Sequence, residues 1–136
     1  MNSVFLDTNI ILDFLDSQRV KHHLAKELIK ILTINSYRVF ISEDMITTIY
    51  YIAKDKQKVL DFFKVVISKW QVVKFGSDTI LDAINMCKTT PKTDLEDTLQ
   101  CLCAKKNSCN YLITSDKSFT KCGIEILDYK KALETL

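Results

Sequence analysis

Glycine and proline are nearly absent: Gly76, Gly123 and Pro91 are the only ones in 136 residues. A phosphate-cradling loop or a dinucleotide fingerprint needs several glycines, so that backbone can approach a phosphate closely. Chemistry built on ATP, GTP or NAD is therefore disfavoured. The same scarcity leaves no linker, repeat or low-complexity segment. No apolar run approaches the ~20 residues of a membrane-spanning helix. The first apolar stretch is interrupted by Asp7 and Asn9 and lacks the basic flank of a signal peptide. A cytoplasmic protein without membrane contact is expected. Cysteine is present but unpatterned. Cys87, Cys101, Cys103, Cys109 and Cys122 are odd in number, and none has the spacing of a zinc knuckle. Cys101 and Cys103, two apart on an expected helix, point in different directions. All five read as small, reduced core residues.

What is present suits one ordinary domain, residues 1–136. Apolar residues make up 47% and charged residues 26%, the balance of a globular chain with a real core. The net charge of +2 announces no polyanion partner. Lys54, Lys56, Lys58, Lys64 and Lys69 nevertheless crowd one region against Asp55 and Asp61. Such a cluster could hold a phosphate backbone or simply form a solvated helix face. His22 and His23 lie on an expected surface helix and read as solvated.

Hydrophobic periodicity sets the order of elements. Ser3 to Leu6 is a short buried strand, and Ile10 to Leu15 continues as a helix. Val20, Leu24, Leu28 and Ile31 or Leu32 recur at helical spacing. Tyr37 to Ile41 is a second strand. Ser42 is an expected N-cap for a helix through Met45, Ile49 and Ile52. Gln57 to Ser68 is helical with a period set by Leu60, Phe63 or Lys64, and Ile67. Trp70 to Phe75 is strand-like, and Ser77 is expected to cap a helix through Ile80, Leu81 and Ile84. Thr93 is expected to cap a helix from Asp94 to Lys106, with Leu95, Leu99 and Leu102 as one stripe. Tyr111 to Thr114 and Ile124 to Leu127 are strands, and Tyr129 to Leu136 a last helix. Strands alternating with helices imply an α/β domain whose mainly parallel sheet is covered on both faces.

In such sheets ligands bind beyond the carboxyl ends of the strands. Acidic residues stand there. Asp7 follows the first strand, Asp116 follows the strand ending at Thr114, and Asp94, Glu96 and Asp97 occupy the first turn of the helix feeding that strand. Carboxylates gathered at one edge repel each other, and a hard cation is their natural occupant. Bound there, it could polarise a phosphodiester and activate a water. Each residue also has a plain alternative. Asp7 and Asp116 could cap a helix or turn, and the acids at 94, 96 and 97 oppose a helix dipole. Asp94 and Asp97 share a face, continued by Cys101 and Ala104, which suggests a helix packed on two sides. Glu96 lies on a third face.

The run Val4-Phe5-Leu6-Asp7-Thr8-Asn9-Ile10-Ile11-Leu12-Asp13 resembles the opening of PIN-domain nucleases. Thr114-Ser115-Asp116-Lys117-Ser118-Phe119 resembles their second signature, and Asp94-Leu95-Glu96-Asp97-Thr98-Leu99-Gln100 their acidic helix start. The three motifs in order cover essentially the whole chain. The resemblance implies a three-layer α/β/α fold and a ribonuclease dependent on Mg2+ or Mn2+, hydrolysing RNA through a metal-activated water. Small members of the VapC kind are toxins of type II toxin–antitoxin modules, so a cognate antitoxin and a homodimer are expected partners. On this resemblance Asp7, Asp97 and Asp116 bind metal, with Asp94 as a further ligand and Glu96 as a further catalytic acid. Asn9, Thr114 and Thr48 support the site from behind, and Lys54, Lys56 and Lys58 are expected to contact RNA. One departure stands out. Thr48 occupies the position of a glutamate that many members carry after the second strand, and Glu43 and Asp44 lie too early on that helix to replace it by simple spacing.

Three other readings compete. A haloacid-dehalogenase-like phosphatase would need a second acid where Asn9 stands. A receiver domain would need a paired acid beside Asp7 and a phospho-accepting Asp after a central strand, for which Asp78 is poorly placed. A PIN fold that no longer cuts, kept as an RNA- or protein-binding module, is the remaining alternative.

Overall fold

The computed structural model describes residues 2–136. Five parallel strands lie in the order β3-β2-β1-β4-β5. They are β1 (Ser3–Leu6), β2 (Arg38–Ser42), β3 (Gln71–Val73), β4 (Tyr111–Ile113) and β5 (Glu125–Leu127). The strand β1 is central because it is the most apolar: Ser3 to Leu6 are all buried. It pairs Phe5 with Phe40 on one side and with Leu112 on the other. The chain leaves β1 outward through β2 to β3, then returns across the sheet to β4 and β5. The order therefore reverses between β1 and β4, which opens a crevice beyond their carboxyl ends.

Seven helices connect and cover the sheet: α1 (Thr8–Leu15), α2 (His22–Ile34), α3 (Asp44–Ile52), α4 (Lys56–Lys69), α5 (Ser77–Thr89), α6 (Leu95–Lys106) and α7 (Tyr129–Thr135). Right-handed crossovers in opposite directions along the sheet put them on both faces. The helices α1, α2 and α7 pack in series. The pair α5–α6 packs together, with α6 lying on β2 and β4. The core between these layers is built on Phe5, Leu6, Ile10, Ile11, Leu28, Ile41, Ile49 and Leu112, none of them exposed. No helix of the described residues is long and apolar enough to cross a membrane.

Several expected details differ. The N-cap of α6 is Asp94, whose carboxylate accepts from the Asp97 N–H, and not Thr93. Ser42 closes β2 and caps nothing, and Gly76 precedes α5 where Ser77 was the expected cap. The inward face of α4 is set by Val59 and Val66, one residue out of phase with the exposed Leu60 and Ile67. On α5 the inward residues are Thr79 and Ala83, while Ile80, Leu81 and Ile84 face outward. Small inward residues let α5 approach α6 closely, which apolar periodicity alone does not reveal. Val20 lies before α2 and is 91% exposed. His22 is half-buried, not solvated: its Nδ1 meets the Asp13 carbonyl at 2.9 Å, so Nδ1 carries the proton.

The cysteines also depart from expectation. Cys101 and Cys122 form a disulfide, joining α6 to the loop before β5. The 21 residues between them hid the pair from spacing rules. In the chain-entropy account a closed loop of that size adds about 3 kcal/mol. Cys87, Cys103 and Cys109 are free. Burial pushes the thiols of Cys103 and Cys109 up to about 11, so they are inert at neutral pH.

Asp13, buried in α1, ties that helix to α7 and to the turn before α2. Its carboxylate accepts from Tyr129 Oη of α7 at 2.8 Å and from Arg19 Nε at 2.8 Å. A buried carboxylate that loses one of its two donors keeps its desolvation cost with less to offset it. Tyr129→Phe is expected to lower unfolding free energy by about 1–3 kcal/mol in urea titrations. Unchanged stability would mean that the bond carries no weight.

Candidate active site

Asp7 is the last residue before α1 and 7% exposed. Both its oxygens are held. Oδ1 accepts from the Thr8 N–H at 2.8 Å, and Oδ2 accepts from the Thr114 hydroxyl at 2.7 Å. Thr114, just beyond β4, is buried in turn, and its Oγ1 accepts from the Asp116 N–H at 3.1 Å. Asn9 completes the bridge: its Nδ2 donates to Thr114 Oγ1 at 3.5 Å and its Oδ1 accepts from the Ser115 N–H at 3.3 Å. The ends of β1 and β4 are thus bonded across the switch point through the side chains of Asp7, Asn9 and Thr114. Asp116 holds its own turn, with Oδ1 accepting from both the N–H and the hydroxyl of Ser118.

The first turn of α6 faces this bridge. Burial is the largest effect on Asp97, followed by repulsion from Asp94, Asp7 and Asp116, and its carboxyl is raised to about 6. Asp7 is raised for the same kinds of reason: burial first, opposed by its Thr114 and Thr8 hydrogen bonds, then repulsion from Asp116 and Asp94. Glu96 is raised by burial, then by Asp44, Asp7 and Asp94. Asp7, Asp94, Glu96, Asp97 and Asp116 therefore share one electrostatic field, Glu96 included despite its separate helical face. Asp94 also caps the helix, so it does both jobs.

Asp44 lies too early on its helix to stand in for the glutamate at Thr48, yet it is the carboxylate that repels Glu96 most. It stands in the first turn of α3, just beyond the end of β2. The rule that led to Asp7 and Asp116, looking immediately after each strand, also finds Asp44. Thr48 lies one turn further along α3, half-buried. The lysines divide. Lys56 Nζ donates to the carbonyls of Tyr50, Tyr51 and Ala53, closing the end of α3, so its charge is engaged within the fold. Lys54 and Lys58 line a pocket with Leu15, Asp16 and Ile52, at the ends of α1 and α3 remote from Asp7 and Asp44.

Among the described residues no three acidic, histidine or cysteine side chains stand together as a ready-made metal cage. The donors nonetheless fit a hard divalent cation. They are all carboxylates, they are partly desolvated, and they repel one another across an open crevice. Magnesium and manganese are commonly held by one or two carboxylates with waters and substrate phosphates completing the shell.

Comparison with known proteins agrees with this fold. The family model described as "PIN domain" matches residues 3–118. The chain belongs to the PIN-domain family. It is 38% identical to Ribonuclease VapC1 of Aquifex aeolicus (strain VF5) over 139 aligned positions, covering 98% of this chain and 96% of the relative. Among solved structures it resembles Mycobacterium tuberculosis VapC20, a sarcin-ricin loop cleaving toxin, with a TM-score of 0.70 at 14% identity over 89% of this chain and 95% of that one. It also resembles DNA-bound VapBC from Salmonella typhimurium, with a TM-score of 0.70 at 15% identity over 95% and 99%. At such identities these structures speak for the fold alone.

A cluster of repelling carboxylates destabilises the metal-free protein. Asp97→Asn is expected to raise the metal-free melting temperature. Wild type is expected to melt higher with Mn2+, by about 2.7 kcal/mol at a hundred times the dissociation constant. In Asp97→Asn that gain should largely vanish. An equal manganese shift in both proteins would remove Asp97 from the ligand set.

Proposed function

We propose that this chain is a divalent-metal-dependent endoribonuclease that hydrolyses RNA at the carboxylate crevice, and that it is the toxin of a type II toxin–antitoxin module. The observation that carries the proposal is the convergence of Asp7, Asp97 and Asp116 on the switch point of a PIN-family sheet. The 38% identity to a ribonuclease over nearly the whole chain supports the activity. Structural neighbours that include a toxin–antitoxin complex from Klebsiella pneumoniae and VapBC from Salmonella typhimurium support a cognate antitoxin as partner. A homodimer is part of the same proposal, and the outward Ile80, Leu81 and Ile84 of α5 give a second copy or an antitoxin apolar surface to cover.

Asp7, Asp97 and Asp116 would hold Mg2+ or Mn2+, with Asp94 at the margin. Bound there, the cation supplies Lewis acidity to the phosphodiester and lowers the pKa of a water at neutral pH. The remaining work falls to the protein. Thr114 and Asn9 keep the Asp7 and Asp116 carboxylates at a fixed separation, a supporting role on which metal sites regularly depend. Glu96 and Asp44 bring negative charge to the side of the crevice where Thr48 brings none. Glu96 is the candidate to receive a proton there, since burial and its acidic neighbours raise its affinity for one.

The strand to be cut needs a cationic approach. A groove of about 410 Å³ starts at Thr114, Ser115 and Asp116 and is bordered by Lys21, Lys117, Lys130 and Lys131, with Leu24 and Ile126 in its lining. This places positive charge beside the carboxylates, where Lys54 and Lys58 are remote and Lys56 is engaged. An inactive binding module is the second reading, favoured only by Thr48.

Purified protein is expected to cut a mixed-sequence single-stranded RNA with Mn2+ and not with EDTA, and Asp7→Asn should lower the rate by at least ~100-fold. Metal-bound wild type that leaves RNA intact would favour the binding module. Replacing Lys117, Lys130 and Lys131 together by alanine should flatten the dependence of log affinity on log salt by about 2, at ~0.7 per phosphate contact. An unchanged slope would place the RNA elsewhere.

A further inference from the structure

Several of the buried polar side chains in this fold are partnered. Asp13, Thr98 and Thr114 each make the hydrogen bonds their burial demands. The exceptions among the described residues are Thr8 Oγ1, Ser42 Oγ and both polar atoms of Gln100. They are not scattered. Thr8 adjoins Asp7. Ser42 ends β2, two residues before Asp44. Gln100 lies three and four residues after Asp97 and Glu96, so it shares their side of α6 one turn further in.

Gln100 is the largest of these and is fully buried. Its amide offers two donors and two acceptor lone pairs, and none is matched. Its place can be bracketed. Cys103, one turn beyond it on the same stripe, has its sulfur 3.9 Å from the Lys74 carbonyl, just past β3. Glu96, one turn before it, faces Asp44 at the start of α3. Ser42 pairs in register with Val73 of β3. This stripe of α6 therefore runs past the carboxyl end of β2, where Ser42 stands, and reaches the residue after β3 through Cys103. An apolar side chain of similar volume would fill the site without the desolvation penalty. A large amide kept there unmatched calls for an explanation outside the resting fold.

We propose that Gln100 is a positioning residue for the nuclease site, with Ser42 as its partner. Its amide supplies hydrogen bonds to the Glu96–Asp97 turn when a divalent cation draws the carboxylates together. This rests on Asp7, Asp97 and Asp116 being the metal ligands. It makes Gln100 a residue whose presence opposes stability without metal and favours affinity for metal. A residue with a merely structural role would have the first sign reversed and no effect on the second.

The test is Gln100→Met, close in volume and lacking both polar atoms. Mn2+ affinity is measured by calorimetry, melting temperature without metal, and kcat and KM on RNA. The expected result is a melting temperature equal to or above wild type, Mn2+ binding weakened 10–100-fold, and a loss in kcat with KM little changed. Mn2+ affinity within twofold of wild type would overturn the proposal, whatever the melting temperature does. Should Gln100→Met fail to fold, Ser42→Ala reads the same idea: weaker Mn2+ binding in a protein of undiminished melting temperature supports it, and unchanged binding overturns it. Wild type that binds no Mn2+ would instead overturn the ligand assignment, and this proposal with it.

Discussion

The bond from the Thr114 hydroxyl to Asp7 is the contact on which the site depends. Asp7 ends the most deeply buried strand, where a carboxylate should not remain charged without compensation. Two donors compensate it, the Thr8 N–H and the Thr114 hydroxyl. Because Thr114 also receives the Asp116 N–H, one hydroxyl sets the spacing between two acids that are 109 residues apart in sequence (116 − 7). Removing that hydroxyl would leave the buried carboxylate short of a donor and the turn at Asp116 short of an acceptor. Folding and site assembly are therefore one event at this point of the sheet.

Capping and a place in the carboxylate cluster, which a sequence presents as alternatives, coincide here. Asp7 caps α1, Asp94 caps α6, and Asp116 closes its own turn with Ser118. Asp44, Glu96 and Asp97 lie in first turns. Three helices thus begin at one crevice, and the positive ends of their dipoles lower the cost of collecting so many carboxylates. Burial first, and then the repulsion that the dipoles do not offset, keep the carboxyls of Asp7, Glu96 and Asp97 raised. That residue of unfavourable charge is what a cation would relieve.

The element order and the strand-end acids were legible because both are local: a period of 2 or 3.6, and a carboxylate at the residue where a strand stops. Phase was less legible. In α4 and α5 the side chains facing inward are Val59, Val66, Thr79 and Ala83, while larger apolar residues face out, so the strongest apolar stripe pointed the wrong way. The Cys101–Cys122 bond and the engagement of Lys56 with three carbonyls are tertiary facts with no local signature. Helical spacing from Thr48 does not reveal that Asp44 acts on Glu96 across two helices. Gln100 was read only as the end of a motif. Its interest lies in burial without partners, which only coordinates reveal.

The placement of Asp116 shows how an irregular segment can be made rigid enough for chemistry. It sits between β4 and β5 on a stretch with no regular structure, where a loop would ordinarily be the mobile part of a domain. Four anchors of different kinds oppose that mobility. Thr114 Oγ1 holds the Asp116 N–H, and Phe119 is buried in the core. Thr120 Oγ1 accepts from the Asp94 N–H at the start of α6, and Cys122 is bonded covalently to Cys101 one turn beyond Asp97. Two of the four tie the loop to α6 itself, so the elements carrying Asp97 and Asp116 move together if they move at all. A set of carboxylates drawn from two such coupled elements and one central strand has little freedom to spread when its charges repel, and that is the condition under which repulsion would become affinity for a cation.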